Sequence, residues 1–121
     1  MKLRDIQKLL EAELICGEES LDEEIDYAGA SDLMSDVLAF GKPGLLLITG
    51  LSNVQSVRTA DIIEAKAIVY VRGKKPDKDS IELAKKKGIP LLSTRLMMYK
   101  TCGLLYSQGL SGIGESQKKE R

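Results

Sequence analysis

The run Leu45-Leu46-Leu47-Ile48-Thr49 constrains this chain more than any other stretch, because it has no polar alternation at all. A strand with one wet face alternates apolar and polar residues. A short continuous apolar run is what a strand covered on both faces looks like. Gly50 then allows a turn, and Ser52 or Asn53 can cap the helix that follows through a side-chain oxygen. Gly44 to Ala65 therefore reads as a buried strand, a glycine turn and a helix from Asn53 to Ala65. Similar units flank it.

Upstream, Leu3, Ile6, Leu9 and Leu10 recur at helical spacing, so Leu3 to Glu11 reads as a short helix, and Glu13 to Cys16 as a first strand. Glu18 to Glu24 is an acidic connection. It could hold a cation or a basic partner, but a solvated loop is the commoner role of such a run. Glu24 to Ala28 reads as a second strand and Gly29-Ala30-Ser31 as a turn. Ser31 stands as the N-cap of the next helix, with Asp32 near its positive end. On that helix Leu33, Met34, Val37 and Leu38 form the inward stripe. Asp32 and Asp36 share another face and read as solvated carboxylates, since no third ligand suggests a metal.

Downstream, Ala67 to Val71 is a β-branched, apolar strand, followed by the basic loop Arg72-Gly73-Lys74-Lys75-Pro76. Asp79 and Glu82 have capping-box spacing. Lys85-Lys86-Lys87 and Gly88 suit a helix C-terminus. Ile89 to Ser93 is another strand, and Thr94 can cap a last helix with Met98, Cys102 and Leu105 on one side. Gly103 inside that helix implies close approach of a neighbour. Residues 1–110 read as a single domain, and Ser111 to Arg121 as a mobile polar tail. The expected fold class is α/β: a mostly parallel sheet of about five strands, with helices on both faces and right-handed crossovers.

Composition narrows the function. Eighteen basic residues balance eighteen acidic ones and aromatics are few, which argues against nucleic-acid binding. The first residues are amphipathic and the longest apolar run is far too short to span a bilayer, so the expectation is a cytoplasmic protein without membrane contact. Cys16 and Cys102 form no disulfide framework, and Cys102 reads as a small core residue. There is no histidine, no phosphate loop of the Gly-x-x-x-x-Gly-Lys-Ser/Thr kind and no Gly-x-Gly-x-x-Gly turn. The chain shows no catalytic constellation, metal set or cofactor motif.

In parallel α/β sheets ligands sit beyond the carboxyl ends of the strands. Here those ends carry Ser31 and Asp32; Thr49, Gly50, Ser52 and Asn53; Arg72, Gly73 and Lys74; and Ser93, Thr94 and Arg95. Capped turns, hydroxyls, an amide and cations suit a phosphate or carboxylate.

The segment Gly29-Ala30-Ser31-Asp32-Leu33-Met34-Ser35-Asp36-Val37-Leu38-Ala39 resembles the opening of the DRTGG-domain family. Leu46-Ile48-Thr49, Val71-Arg72-Gly73-Lys74 with Pro76, Gly88 to Thr94, and Cys102 to Leu110 continue the resemblance in order. It covers roughly Leu21 to Leu110. The literal Asp-Arg-Thr-Gly-Gly string is absent, with Ser52-Asn53-Val54-Gln55 in the central loop. The resemblance implies a fold similar to the N-terminal domain of HPr kinase/phosphorylase. It also implies a regulatory or oligomer-forming role, as in domains that accompany CBS modules in a pyrophosphatase or precede the catalytic part of some phosphotransacetylases.

Three functions follow as expectations. The first is a non-enzymatic sensing or assembly module that binds a small anion or nucleotide at the strand ends. The second is a small kinase or phosphotransferase, and the third a protein–protein adaptor without a ligand. A homodimer is expected as well, because Val54, Val57, Ala60, Ile62 and Ile63 spread over more of their helix than one sheet face covers.

Overall fold

The structure is a computed structural model that describes residues 1–114. The chain runs α1 (Leu3–Leu10), β1 (Glu13–Cys16), a 3-10 turn (Glu18–Ser20), β2 (Tyr27–Ala30), α2 (Met34–Phe40) and β3 (Leu45–Thr49). It continues through α3 (Val54–Ile62), β4 (Ala67–Tyr70), α4 (Lys78–Lys87), β5 (Leu91–Ser93), α5 (Met98–Ser107) and β6 (Ser111–Gly112). The expected alternation is present, with a sixth strand at the end.

The sheet order is β1-β5-β4-β3-β2-β6. β1 runs antiparallel to β5, and every other pairing is parallel. The steps β2 to β3, β3 to β4 and β4 to β5 all move in one direction. Crossovers of one hand moving one way must leave their helices on one face, and α2, α3 and α4 do share a face. Met34, Val37, Val57, Ala60 and Ala84 pack there with Leu45, Leu47, Ile68, Tyr70 and Leu91. The opposite face carries α1 and α5: Leu3, Ile6, Leu10 and Leu105 meet Leu46, Ile48, Val69 and Leu92. Strand side chains thus alternate between two apolar cores, which is why β3 needs no polar position.

Several local expectations are corrected. Gly29 and Ala30 lie inside β2, paired with Leu47 and Ile48, and are not a turn. The cap position of α2 is Leu33, not Ser31, so Asp32 lies before the helix and shares no helical face with Asp36. Leu33 and Leu38, expected inward, are 57% and 46% exposed. Asp77, not Asp79, caps α4, accepting the Ser80 amide at 2.8 Å. Met97, not Thr94, precedes α5. Ser111 and Gly112, assigned to a tail, pair with Tyr27 and Ala28 at the sheet edge, and residues 115–121 lie outside the described residues. Asn53 does cap α3 (the Gln55 amide donates to its Oδ1 at 3.1 Å), and Gly88, at φ +72°, ends α4. Among the described residues no helix is long and apolar enough to cross a membrane.

Candidate functional site

Four of the residues expected at the strand ends meet. Asp32 follows β2, Thr49 and Gly50 end β3, and Arg72 follows β4. The Gly50 amide donates to Asp32 Oδ1 at 2.6 Å, and the Thr49 hydroxyl donates to the same oxygen at 3.1 Å. Arg72 Nη1 stands 3.6 Å from Asp32 Oδ2. The Gly50 amide, the Thr49 hydroxyl and the Arg72 guanidinium hold the Asp32 carboxyl below its usual range, the amide most strongly, against a smaller opposing effect of burial.

Gly50 has a reason beyond turning. A Cβ built on it would lie 2.6–2.8 Å from Nη1, Nη2 and Cζ of Arg72, so the guanidinium rests flat against its backbone. Arg72 itself is left-handed at φ +60°, followed by Gly73 at +69°. The left-handed region costs an L residue about 1–2 kcal/mol. Here the Arg72 amide donates to Leu96 O and the Gly73 amide to Thr94 O, both at 2.8 Å, and these bonds hold the turn.

The other expected site residues are placed differently. The Ser31 hydroxyl accepts the Leu33 amide at 3.0 Å, closing a local turn. Ser52 lends its carbonyl to the Ser80 hydroxyl. Ser93 donates to Lys74 O at 2.7 Å, and Thr94 donates to Leu10 O at 2.8 Å; both side chains are buried. These hydroxyls tie loops together. Lys74 and Arg95 are exposed and make no ion pair among the described residues. No group of three or more His, Cys, Asp or Glu side chains among the described residues could hold a metal ion.

The sequence reading missed a second feature. An apolar groove of about 360 Å³ lies between α5, β2 and β6, lined by Ala28 to Ala30, Ile48, Tyr99, Cys102, Gly103, Leu105 and Tyr106 among others. Tyr99 and Tyr106 are 93% and 63% exposed. Its signal was present as Tyr99, Cys102, Gly103 and Tyr106 at i, i+3, i+4 and i+7, a second stripe beside the inward one. Outside its own helix backbone and chain neighbours, no atom of the described residues comes within 4 Å of a Cβ built on Gly103, so the close neighbour expected there is not supplied by the described residues. Burial raises the Cys102 thiol above its ordinary range, which fits a packing role. Ala30 and Ile48 bring the groove within two residues of Asp32 and Gly50 along the chain.

The fold and these strand ends define an α/β module with polar residues gathered beyond its parallel strands. The chain matches the DRTGG domain family over residues 5–107 and belongs to that family. It is also similar to a solved structure of the CBS and DRTGG domains of the regulatory region of Clostridium perfringens pyrophosphatase, complexed with the activator diadenosine tetraphosphate. The identity is 23% and the TM-score 0.72, over 86% of this chain and 45% of that one. This chain therefore spans less than half the length of that protein's crystallised region. No curated protein matches it.

Proposed function

We propose that this domain is a non-enzymatic regulatory module that senses a small anion or nucleotide at the carboxyl ends of its parallel strands. The observation that carries the reading is Arg72. Its backbone is held in a left-handed turn and its guanidinium is laid on Gly50, with 37% of the side chain open to solvent. Exposed Lys74 and Arg95 follow β4 and β5 at the same end of the sheet. A cation held in place presents its remaining donors without first being ordered, which favours binding of a phosphate or carboxylate. The similar pyrophosphatase region, crystallised with a dinucleotide activator, supports the ligand class. A regulatory reading also accords with a sequence that has neither histidine nor a phosphate loop. A cytoplasmic setting with two free thiols belongs to the same reading.

Isothermal calorimetry with adenine nucleotides and acyl phosphates tests it. Binding is expected with wild type and weaker by at least tenfold with Arg72→Ala. No heat with any of these at millimolar concentration overturns the reading. Turnover of ATP by the pure protein, lost in Asp32→Asn, would favour the phosphotransferase alternative instead.

A second proposal, self-association, draws on the apolar residues left uncovered. Ile62 on α3 is 68% exposed, and Tyr99 and Tyr106 flank the open space at Gly103. A pair of chains would bury about 800 Å² each in an interface of standard size. Sedimentation equilibrium across micromolar concentrations should give twice the 13.3 kDa chain mass. A constant monomer mass rejects the dimer, and a co-purifying protein would point to an adaptor.

A further inference from the structure

We propose that the Gly50 amide, the Thr49 hydroxyl and the Arg72 guanidinium form an oxyanion seat that Asp32 occupies in the resting chain, and that the phosphate or carboxylate group of a small ligand binds by displacing it. The inference rests on the ligand-sensing reading above and adds the atoms that hold the anion and the group that competes with it.

The donors are of three kinds and come from the ends of two adjacent strands, β3 and β4, while the acceptor comes from the loop after a third, β2. The amide and hydroxyl reach one carboxylate oxygen at 2.6 and 3.1 Å, and the guanidinium stands 3.6 Å from the other. An amide, a hydroxyl and a guanidinium converging on one anionic group is how proteins bind phosphate and carboxylate ligands. The bare Cα of Gly50 leaves room for the guanidinium, since a Cβ there would lie 2.6 Å from Nη1. The two donor groups with fixed positions, the Gly50 amide and Thr49, belong to a fully buried strand and its end. They stay in place when the occupant leaves.

Asp32 is the movable member. Its side chain is 51% exposed and lies in the two-residue link between β2 and the cap of α2. It can swing into solvent by rotating its own side chain, without moving a strand. A tethered carboxylate acts as a competitor at an effective concentration in the millimolar range. An external oxyanion on the wild-type chain is therefore bound more weakly than it would be by the vacated seat. Arrival of a ligand would also remove the side-chain tie between the residue before the α2 cap and the end of β3.

The test compares thermal unfolding and calorimetry of wild type, Asp32→Ala and Asp32→Ala/Arg72→Ala with inorganic phosphate or acetate, using sodium chloride at matched ionic strength as control. Asp32→Ala should show a saturable rise in Tm and bind phosphate at least tenfold more tightly than wild type, and the double variant should lose that gain. Equal phosphate responses in wild type and Asp32→Ala overturn the proposal. If Asp32→Ala fails to fold, Asp32→Asn makes the same comparison, because its neutral amide keeps the shape and removes the competing charge. If phosphate binds Asp32→Ala tightly while no nucleotide binds wild type, the seat stands and the sensing reading falls. If nucleotides bind wild type through Arg72 but Asp32→Ala gains nothing, the seat alone falls.

Discussion

The two faces of the sheet are covered unequally, and the difference is a matter of width. Six strands spaced about 4.8 Å apart span about 24 Å between the outermost axes. Three helices at about 8–10 Å spacing cover that span, whereas two leave about one helix-width bare. Helices α2, α3 and α4 close one face. On it even a buried hydroxyl finds a partner: Tyr70 OH lies 2.8 Å from Ser56 Oγ, and burial pushes the Tyr70 phenol up to about 12. The other face has only α1 and α5, and the bare strip becomes the groove over β2 and β6. One-way crossovers thus produce a filled face and an open one in the same small domain.

The largest expected effect separates the faces directly. Leu47→Ala, fully buried under the three helices, should destabilise by about 3–4 kcal/mol in denaturant unfolding, since a closed core cannot refill the void. Leu105→Ala borders the groove and should cost only about 2 kcal/mol, the low end for such truncations, because its void opens onto existing space. Equal losses would mean that the open face is as tightly filled as the closed one.

Two glycines sharpen the contrast by sign. Gly29 lines the groove with its backbone, but a Cβ on it would point to the closed side, 2.8 Å from Phe40 Cε1. Gly29→Ala should destabilise by about 1–3 kcal/mol. Gly103→Ala meets nothing within 4 Å among the described residues outside its own helix and should stabilise the chain by about 0.5–1 kcal/mol through helix propensity. Thermal melts of the two variants moving in the same direction would break the comparison. If Gly103→Ala instead weakens self-association seen by sedimentation, the open face is the one a second chain covers.

The strand ends belong to neither face and give the smallest effect, read against pH. The folded Asp32 carboxyl lies below its unfolded value, mainly through the Gly50 amide. Its stabilisation is therefore complete above the unfolded value of about 3.9 and is lost as pH falls through the lower folded value. Asp32→Asn should be slightly less stable than wild type at neutral pH and should converge with it in acid. The side chain is half exposed, so solvent screening keeps the difference small. Parallel stability curves down to low pH would show that the carboxylate is not held as described.

Local regularities were legible because their causes are local. The apolar run Leu45 to Thr49 matched its strand residue for residue, and Gly88 and Asn53 ended and began helices as their chemistry requires. Misreadings came where two local signals competed. Gly29 and Ala30 look like a turn, but they continue β2 in register with Leu47 and Ile48 of the neighbouring strand. Ser31 looks like a cap, yet its hydroxyl closes a turn to Leu33 two residues before α2 begins. Asp77 took the cap from Asp79 because Pro76 and Asp77 already set the entry of α4.

The sequence by itself determined the alternation of strands and helices, the mostly parallel sheet and many of the apolar residues that the structure buries. Those follow from periods of two and of 3.6 residues, which any window of the chain displays. Only the tertiary structure decided that Asp32 would rest on the Gly50 amide beside Arg72, and that Tyr99 and Tyr106 would flank a groove that no other described residue fills. Both depend on the order and register of strands distant in sequence. That arrangement is set by how the crossovers pack, which no local pattern records.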